Sequence, residues 1–227
     1  MLKNLFKEDV LLAKCKKTTA LHGIVWGLLS KVMLFAPVSG IVGSYFGFFS
    51  LSNMATPLIA VLSNSAGALG FFSFLGLARV VVFGFSLVQC ANFIPGLLAS
   101  LSFVPKYRFL QLVVPVVSMV LFIAHPVGKG AWLYTLYWLI PIAIYFTNNK
   151  IYTQSLAATF VAHAAGSVFF LYARPMTSAV WLALIPVVAY ERLVLALGTA
   201  LIYTLAIQLK KAYTNVDMKS FFVKTAG

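Results

Sequence analysis

Three sets of polar side chains lie inside otherwise apolar stretches, and their types and spacing suit binding or proton transfer. Ser155, Thr159, His163 and Ser167 recur every four residues, so on a helix they form one polar stripe. At the middle of that stripe, His163 is equipped to hydrogen-bond a substrate, to carry a proton, or simply to tie two helices together. Beside it, Ala158, Ala162 and Gly166 repeat with the same spacing, and small residues there let another helix approach closely. The second set is Tyr190-Glu191-Arg192. Of the four acids, Glu8, Asp9 and Asp217 lie near the ends, so Glu191 alone sits in apolar surroundings. Successive helical residues point about 100° apart, so Glu191 and Arg192 do not face one small pocket, although their long side chains can still meet. Glu191 reads either as a substrate anchor or proton-coupling carboxyl, or as half of a structural ion pair with Arg192. Arg79, Lys31, His163 and a cationic ligand are its other possible partners. The third set, Ser86, Gln89 and Asn92, is spaced by three ahead of Pro95-Gly96. Its amides both donate and accept, which suits a neutral polar ligand. Asn53 and Asn64, further upstream, could close over the same ligand. Trp132, Tyr134, Tyr137, Trp138, Tyr172 and Trp181 either stack on a ring or, as the commoner arrangement, form an interfacial belt.

The elements that must position these groups follow from composition. Of 227 residues, 62% are hydrophobic and 9% charged, against about 25% charged in an ordinary soluble domain. Mean hydropathy is +0.97. No soluble domain of this size could keep so much apolar surface from water. The sequence therefore predicts an all-α, polytopic membrane helix bundle and excludes soluble enzymes and nucleic-acid modules. A span needs about 20 apolar residues, and six stretches meet that need, at 22–46, 78–103, 109–126, 131–147, 152–173 and 179–208. The segment 47–77 is apolar but broken by Gly47, Pro57, Gly67, Gly70 and Gly76. It reads as a seventh span or as a hairpin that dips into the membrane.

The charge of +13 decides between these by position. With six spans, the cytoplasmic side collects the N-terminal lysines, Lys106, Arg108, Lys150 and the C-terminal lysines, leaving Arg79, Lys129 and Arg174 outside. A seventh crossing would put Lys106, Arg108 and the C-terminal lysines outside, against the positive-inside rule. The segment between helices 1 and 2 is thus expected to be external and partly inserted, a lid or gate. Lys31 either snorkels from the first span or marks its start. Residues 1–19 read as a basic, amphipathic cytoplasmic segment, 20–209 as one membrane domain and 210–227 as a basic cytoplasmic tail. Pro37, Pro95, Pro115, Pro141 and Pro186 each fall inside an expected span, where proline frees carbonyls and kinks helices.

Bond-making chemistry finds little support. Pro37-Val38-Ser39-Gly40 and Ala162-His163-Ala164-Ala165-Gly166 resemble the serine and histidine motifs of rhomboid proteases. However, the serine motif has proline in its first position, and Ser39 and His163 fall on spans too far apart in order for that arrangement. His22, His125 and His163 fall at different depths without ligand spacing, and no phosphate-cradling glycine loop followed by lysine occurs. Cys15 and Cys90 cannot form a disulfide framework. The expectation is a non-enzyme without metal, cofactor or nucleic acid, in a bacterial-type inner membrane with both ends cytoplasmic. No cleavable signal peptide is expected at the N-terminus.

Across nearly its whole length, the pattern resembles the substrate-binding S components of energy-coupling-factor vitamin transporters. The resemblance rests on size, six spans and the stretch Ser52-Asn53-Met54-Ala55-Thr56-Pro57-Leu58 through Gly67-Ala68-Leu69-Gly70 after helix one. Gly23 and Gly27 match the small residues, four apart, with which that family docks its coupling protein. The resemblance implies uptake of a small, vitamin-like molecule with separate coupling and ATPase proteins as partners. The expected pocket is Asn53, Gln89, Asn92, His163 and Glu191, supported by Arg192, Thr159 and Tyr190, with membrane lipid around it. A self-sufficient proton-coupled transporter using Glu191 and His163 is the alternative, and a non-transporting scaffold the third.

Overall fold

The computed structural model describes residues 37–40, 48–147 and 150–225, with side chains over 53–147 and 150–209. The N-terminal segment 1–19, Gly23, Gly27, Lys31 and most of the first expected span lie outside the described residues. The described part of that expected span, 37–40, is not helical. Pro37–Gly40 (β1) pairs antiparallel with Phe48–Ser50 (β2). Proline has no N–H to give a helix interior, and its fixed φ suits an extended edge.

Everything else described is helical or irregular. Leu51–Ala55 (α1), a 3-10 turn at Thr56–Leu58 and Ile59–Ser63 (α2) lead into Ser65–Phe83 (α3). Next come Leu87–Ala91 (α4), Ile94–Ser102 (α5), Leu110–Ala124 (α6) and Pro126–Gly130 (α7). A 3-10 segment, Trp132–Trp138, runs into Leu139–Tyr145 (α8). Ile151–Ala173 (α9), Ser178–Ala183 (α10) and Ile185–Thr225 (α11) complete the chain. Among the described residues, four helical stretches are long and apolar enough to cross a membrane: Ser65–Phe83, Pro105–Ala124, Ile151–Ala173 and Ile185–Leu209. Asn53–Ser63, Leu87–Ser102 and Trp132–Tyr145 are apolar but shorter.

Two expectations are corrected. The stretch 47–77 contains the first 13 of the 19 residues of a span-length helix, and 78–103 is not one helix. The break falls at Gly84, whose φ of +76° ends α3 in a conformation that L side chains avoid. The glycines inside 65–83 do not break the helix. A Cβ on Gly76 would come within 2.9 Å of the Phe93 ring, so this glycine lets α3 and the following segment approach closely. The start of α3 is fixed by Asn64, which adopts φ +92° and accepts a hydrogen bond from Gly67 N at 2.7 Å. Asn64 therefore serves as a helix cap.

The prolines also sit differently from expectation. Pro95 lies in the first turn of α5 and Pro186 is the second residue of α11, positions whose N–H would lack a helical partner anyway. Pro115 is inside α6.

Helix α9 is the axis of the bundle. It packs against α4, α5, α6, α8 and α11, and 11 of its 23 residues are buried. Its start is tied by amides. Gln111 Nε2 donates to Gln154 Oε1 at 2.7 Å and to the Ser102 carbonyl at 3.1 Å, joining the starts of α6 and α9 to the end of α5. Nearby, Arg108 donates to the carbonyls of Ile144 and Thr147, both at 3.1 Å, capping the end of α8 and closing the α6–α8 pair. Replacing Gln111 with leucine removes both amide bonds from a fully buried position. The expected cost is about 1–2 kcal/mol, read as a lower melting temperature in detergent. An unchanged melting temperature would show that the amide bridge adds nothing.

Candidate functional site

The stripe on α9 becomes a hydrogen-bonded group because the segment Trp132–Trp138 and α11 lie against it. His163, partly buried, has both ring nitrogens engaged. Trp138 Nε1 lies 3.2 Å from His163 Nδ1, and Tyr134 Oη lies 2.7 Å from His163 Nε2. An indole N–H only donates, so Nδ1 must accept. The proton of the neutral ring is then on Nε2 and is donated to the Tyr134 oxygen. Tyr134 in turn can donate to Ser167 Oγ, 3.3 Å away. The chain Trp138→His163→Tyr134→Ser167 thus runs in one direction. Thr159, one turn below His163, donates its hydroxyl to the Leu156 carbonyl at 2.9 Å.

An aromatic box holds this group. Phe122 stacks on Tyr134 and meets Trp138 and Trp181 edge-on, at centroid distances of 5.1–5.7 Å. Phe160 meets His163 edge-on. Trp138 is 0% exposed, and Tyr134 and Trp181 are each 2% exposed. These three are therefore core residues, whereas Trp132 and Tyr172 remain exposed at their ends of the bundle. From the sequence, all five read either as stacking on a ring or, as the commoner arrangement, as an interfacial belt. No helical spacing singles out the inner pair, because Tyr134 and Trp138 lie in a 3-10 segment.

Glu191 and Arg192 are both buried on α11 and meet at 3.5 Å. Arg192 also reaches the carbonyl of Thr159 on α9, at 3.5 Å. The two charges thus pair despite pointing from successive positions, because both side chains are long enough to fold back. Tyr190, by contrast, is exposed.

The remaining expected site residues lie elsewhere. Gln89 Oε1 accepts from Arg79 at 3.3 Å, and Asn92 donates to the Val88 carbonyl at 2.7 Å. Arg79 and Gln89 form a separate polar group at the α3–α4 break, and Asn92 caps the C-terminal end of α4. Asn53 precedes Met54, whose carbonyl accepts from Thr199 Oγ1 at 2.8 Å, so it belongs to the α1–α11 contact. The structure joins His163, Thr159, Glu191 and Arg192 through α9 and α11. It gives no direct contact from that group to Gln89 or Asn92. Tyr134, Trp138 and Ser167 join the candidate site from the structure.

Among the described residues, the fold and this group define a predominantly helical protein with four membrane-length helices and a charged pair buried between its helices. No protein-family model, curated protein or solved structure matches the chain.

Proposed function

We propose that this chain takes up a small molecule across a membrane, acting as the substrate-binding subunit beside separate coupling and ATPase proteins. In this reading the membrane is a bacterial inner membrane, six crossings place both ends in the cytoplasm, and 47–63 is the partly inserted external segment. The chain itself makes or breaks no bond. The observation that supports the reading is the buried Glu191–Arg192 pair beside the His163–Tyr134–Ser167 chain. Ionisable groups at membrane depth are costly and mark ligand or ion pathways. An aromatic box with a fixed set of donors and acceptors suits a ligand that carries both a flat ring and polar groups. Gly23 and Gly27 are the proposed docking face for the coupling protein.

The test is native mass spectrometry of protein purified in mild detergent. A stoichiometric small molecule is expected to be retained, since tight complexes dissociate slowly. Glu191→Gln is expected to reduce its occupancy at least tenfold, and His163→Ala likewise, with helical content unchanged. A bare parent protein, or equal occupancy in both variants, would remove this reading. A second reading, proton-coupled transport without an ATPase, is favoured by the one-directional hydrogen-bond chain. It requires uptake into sealed vesicles driven by a pH gradient alone.

A further inference from the structure

At the α3–α4 break, Arg79 has no carboxylate partner among the described residues. Arg79 lies one turn before the end of α3, and the guanidinium donates to Gln89 Oε1 at 3.3 Å. Its Nε is buried and has no hydrogen-bond partner. Among the described side chains the only carboxylate is Glu191, and that one pairs with Arg192. Among the described residues, Arg79 thus spends one of its five N–H donors, on Gln89.

The surroundings restrict what that is. Immediately after Arg79 the chain turns at Gly84, and Phe83, Phe85 and Leu87 stand exposed around the turn, Phe85 at 79%. A positive head at the end of a membrane-length helix, beside a collar of exposed apolar side chains, matches a molecule with an anionic head and an apolar tail. A free anion would use the cation and leave the collar unused. We propose that the α3–α4 break binds an anionic phospholipid, its phosphate on Arg79 and Gln89 and its acyl chains against Phe83, Phe85 and Leu87. This site is independent of the uptake reading.

The test uses the full chain in nanodiscs or mixed micelles containing equal phosphatidylglycerol and phosphatidylcholine, with bound lipid counted by native mass spectrometry. The parent is expected to prefer phosphatidylglycerol. Arg79→Gln is expected to reduce that preference about fivefold, the size of one cation at a lipid surface. Arg79→Lys retains part of it, and Arg174→Gln, an exposed cation elsewhere, leaves it unchanged. Phe85→Ala touches no interior contact and is expected to weaken retention as well, so it decides the matter should Arg79→Gln not fold. Equal preference in Arg79→Gln and the parent overturns the proposal. So does an equal loss in Arg79→Gln and Arg174→Gln, which would mean diffuse charge attraction. Full retention in Phe85→Ala, or displacement of the lipid by millimolar inorganic phosphate, would identify a free-anion site instead.

Discussion

Arg192→Met is expected to destabilise the bundle by about 3–5 kcal/mol, while the double variant Glu191→Gln/Arg192→Met costs much less. The asymmetry follows from burial. Arg192 and Glu191 are 5% and 7% exposed and meet at 3.5 Å. Removing one member of a buried pair takes its opposite charge away from the other in a medium that solvates it poorly, and such losses run to about 3–5 kcal/mol. Removing both charges also removes the desolvation penalty, so apolar or neutral replacements of similar size come close to break-even. Arg192 also contacts the Thr159 carbonyl, so the single variant loosens the α9–α11 contact as well. Unfolding in graded denaturing detergent measures both variants. Equal losses in the single and double variants would show that the pair is not coupled in the folded bundle. A surface pair would contribute only about 0–1 kcal/mol and show no such contrast.

The sequence exposed the parts of this site that lie on regular, long helices. The four-residue spacing of Ser155, Thr159, His163 and Ser167 holds because α9 runs unbroken from Ile151 to Ala173. Ser155, Thr159 and Ser167 are all buried on it. The Glu191–Arg192 pairing was one of two open readings, and side-chain length rather than helical phase decided it. What local pattern could not show was the meaning of glycine. Gly67, Gly70 and Gly76 read as breakers because glycine costs a helix about 1 kcal/mol in water. At Gly76 the missing side chain admits the Phe93 ring, and that packing outweighs the propensity. Gly84, one glycine in an apolar run, carries the real break, and only its backbone conformation distinguishes it. The aromatic box was hidden for a related reason. Tyr134 and Trp138 sit in a 3-10 segment, where the 3.6-residue period used to assign helix faces does not apply. Gln111 and Gln154 escaped notice because each is a single amide at the start of its own helix, and only the fold places them 2.7 Å apart.

The same contrast between glycines gives the other large expected effect. Gly128→Ala should destabilise the protein by about 3 kcal/mol and loosen the aromatic box, while Gly84→Ala should cost about 1–2 kcal/mol and leave the box intact. A Cβ on Gly128 would overlap the backbone carbonyl oxygen of Phe122, which is held at the end of α6 and cannot rotate away as a side-chain tip can. Overpacking of this kind costs about 1–3 kcal/mol when neighbours can shift, with rigid neighbours at the upper end. Phe122 is fully buried and touches Tyr134, Trp138 and Trp181. A displaced Phe122 therefore moves the residues that hold both nitrogens of His163. At Gly84 nothing lies within 4 Å of an added Cβ, so only the positive φ is penalised. Gly130→Ala falls between, because its added Cβ meets the hydroxyl of Ser178, which can turn aside at the cost of its bond to the Val127 carbonyl. Melting temperature gives the stability order, and near-ultraviolet circular dichroism of the buried tryptophans reports the box. If Gly128→Ala keeps the parent's near-ultraviolet spectrum, the α6–α7 corner does not set the position of Phe122, and its link to His163 fails.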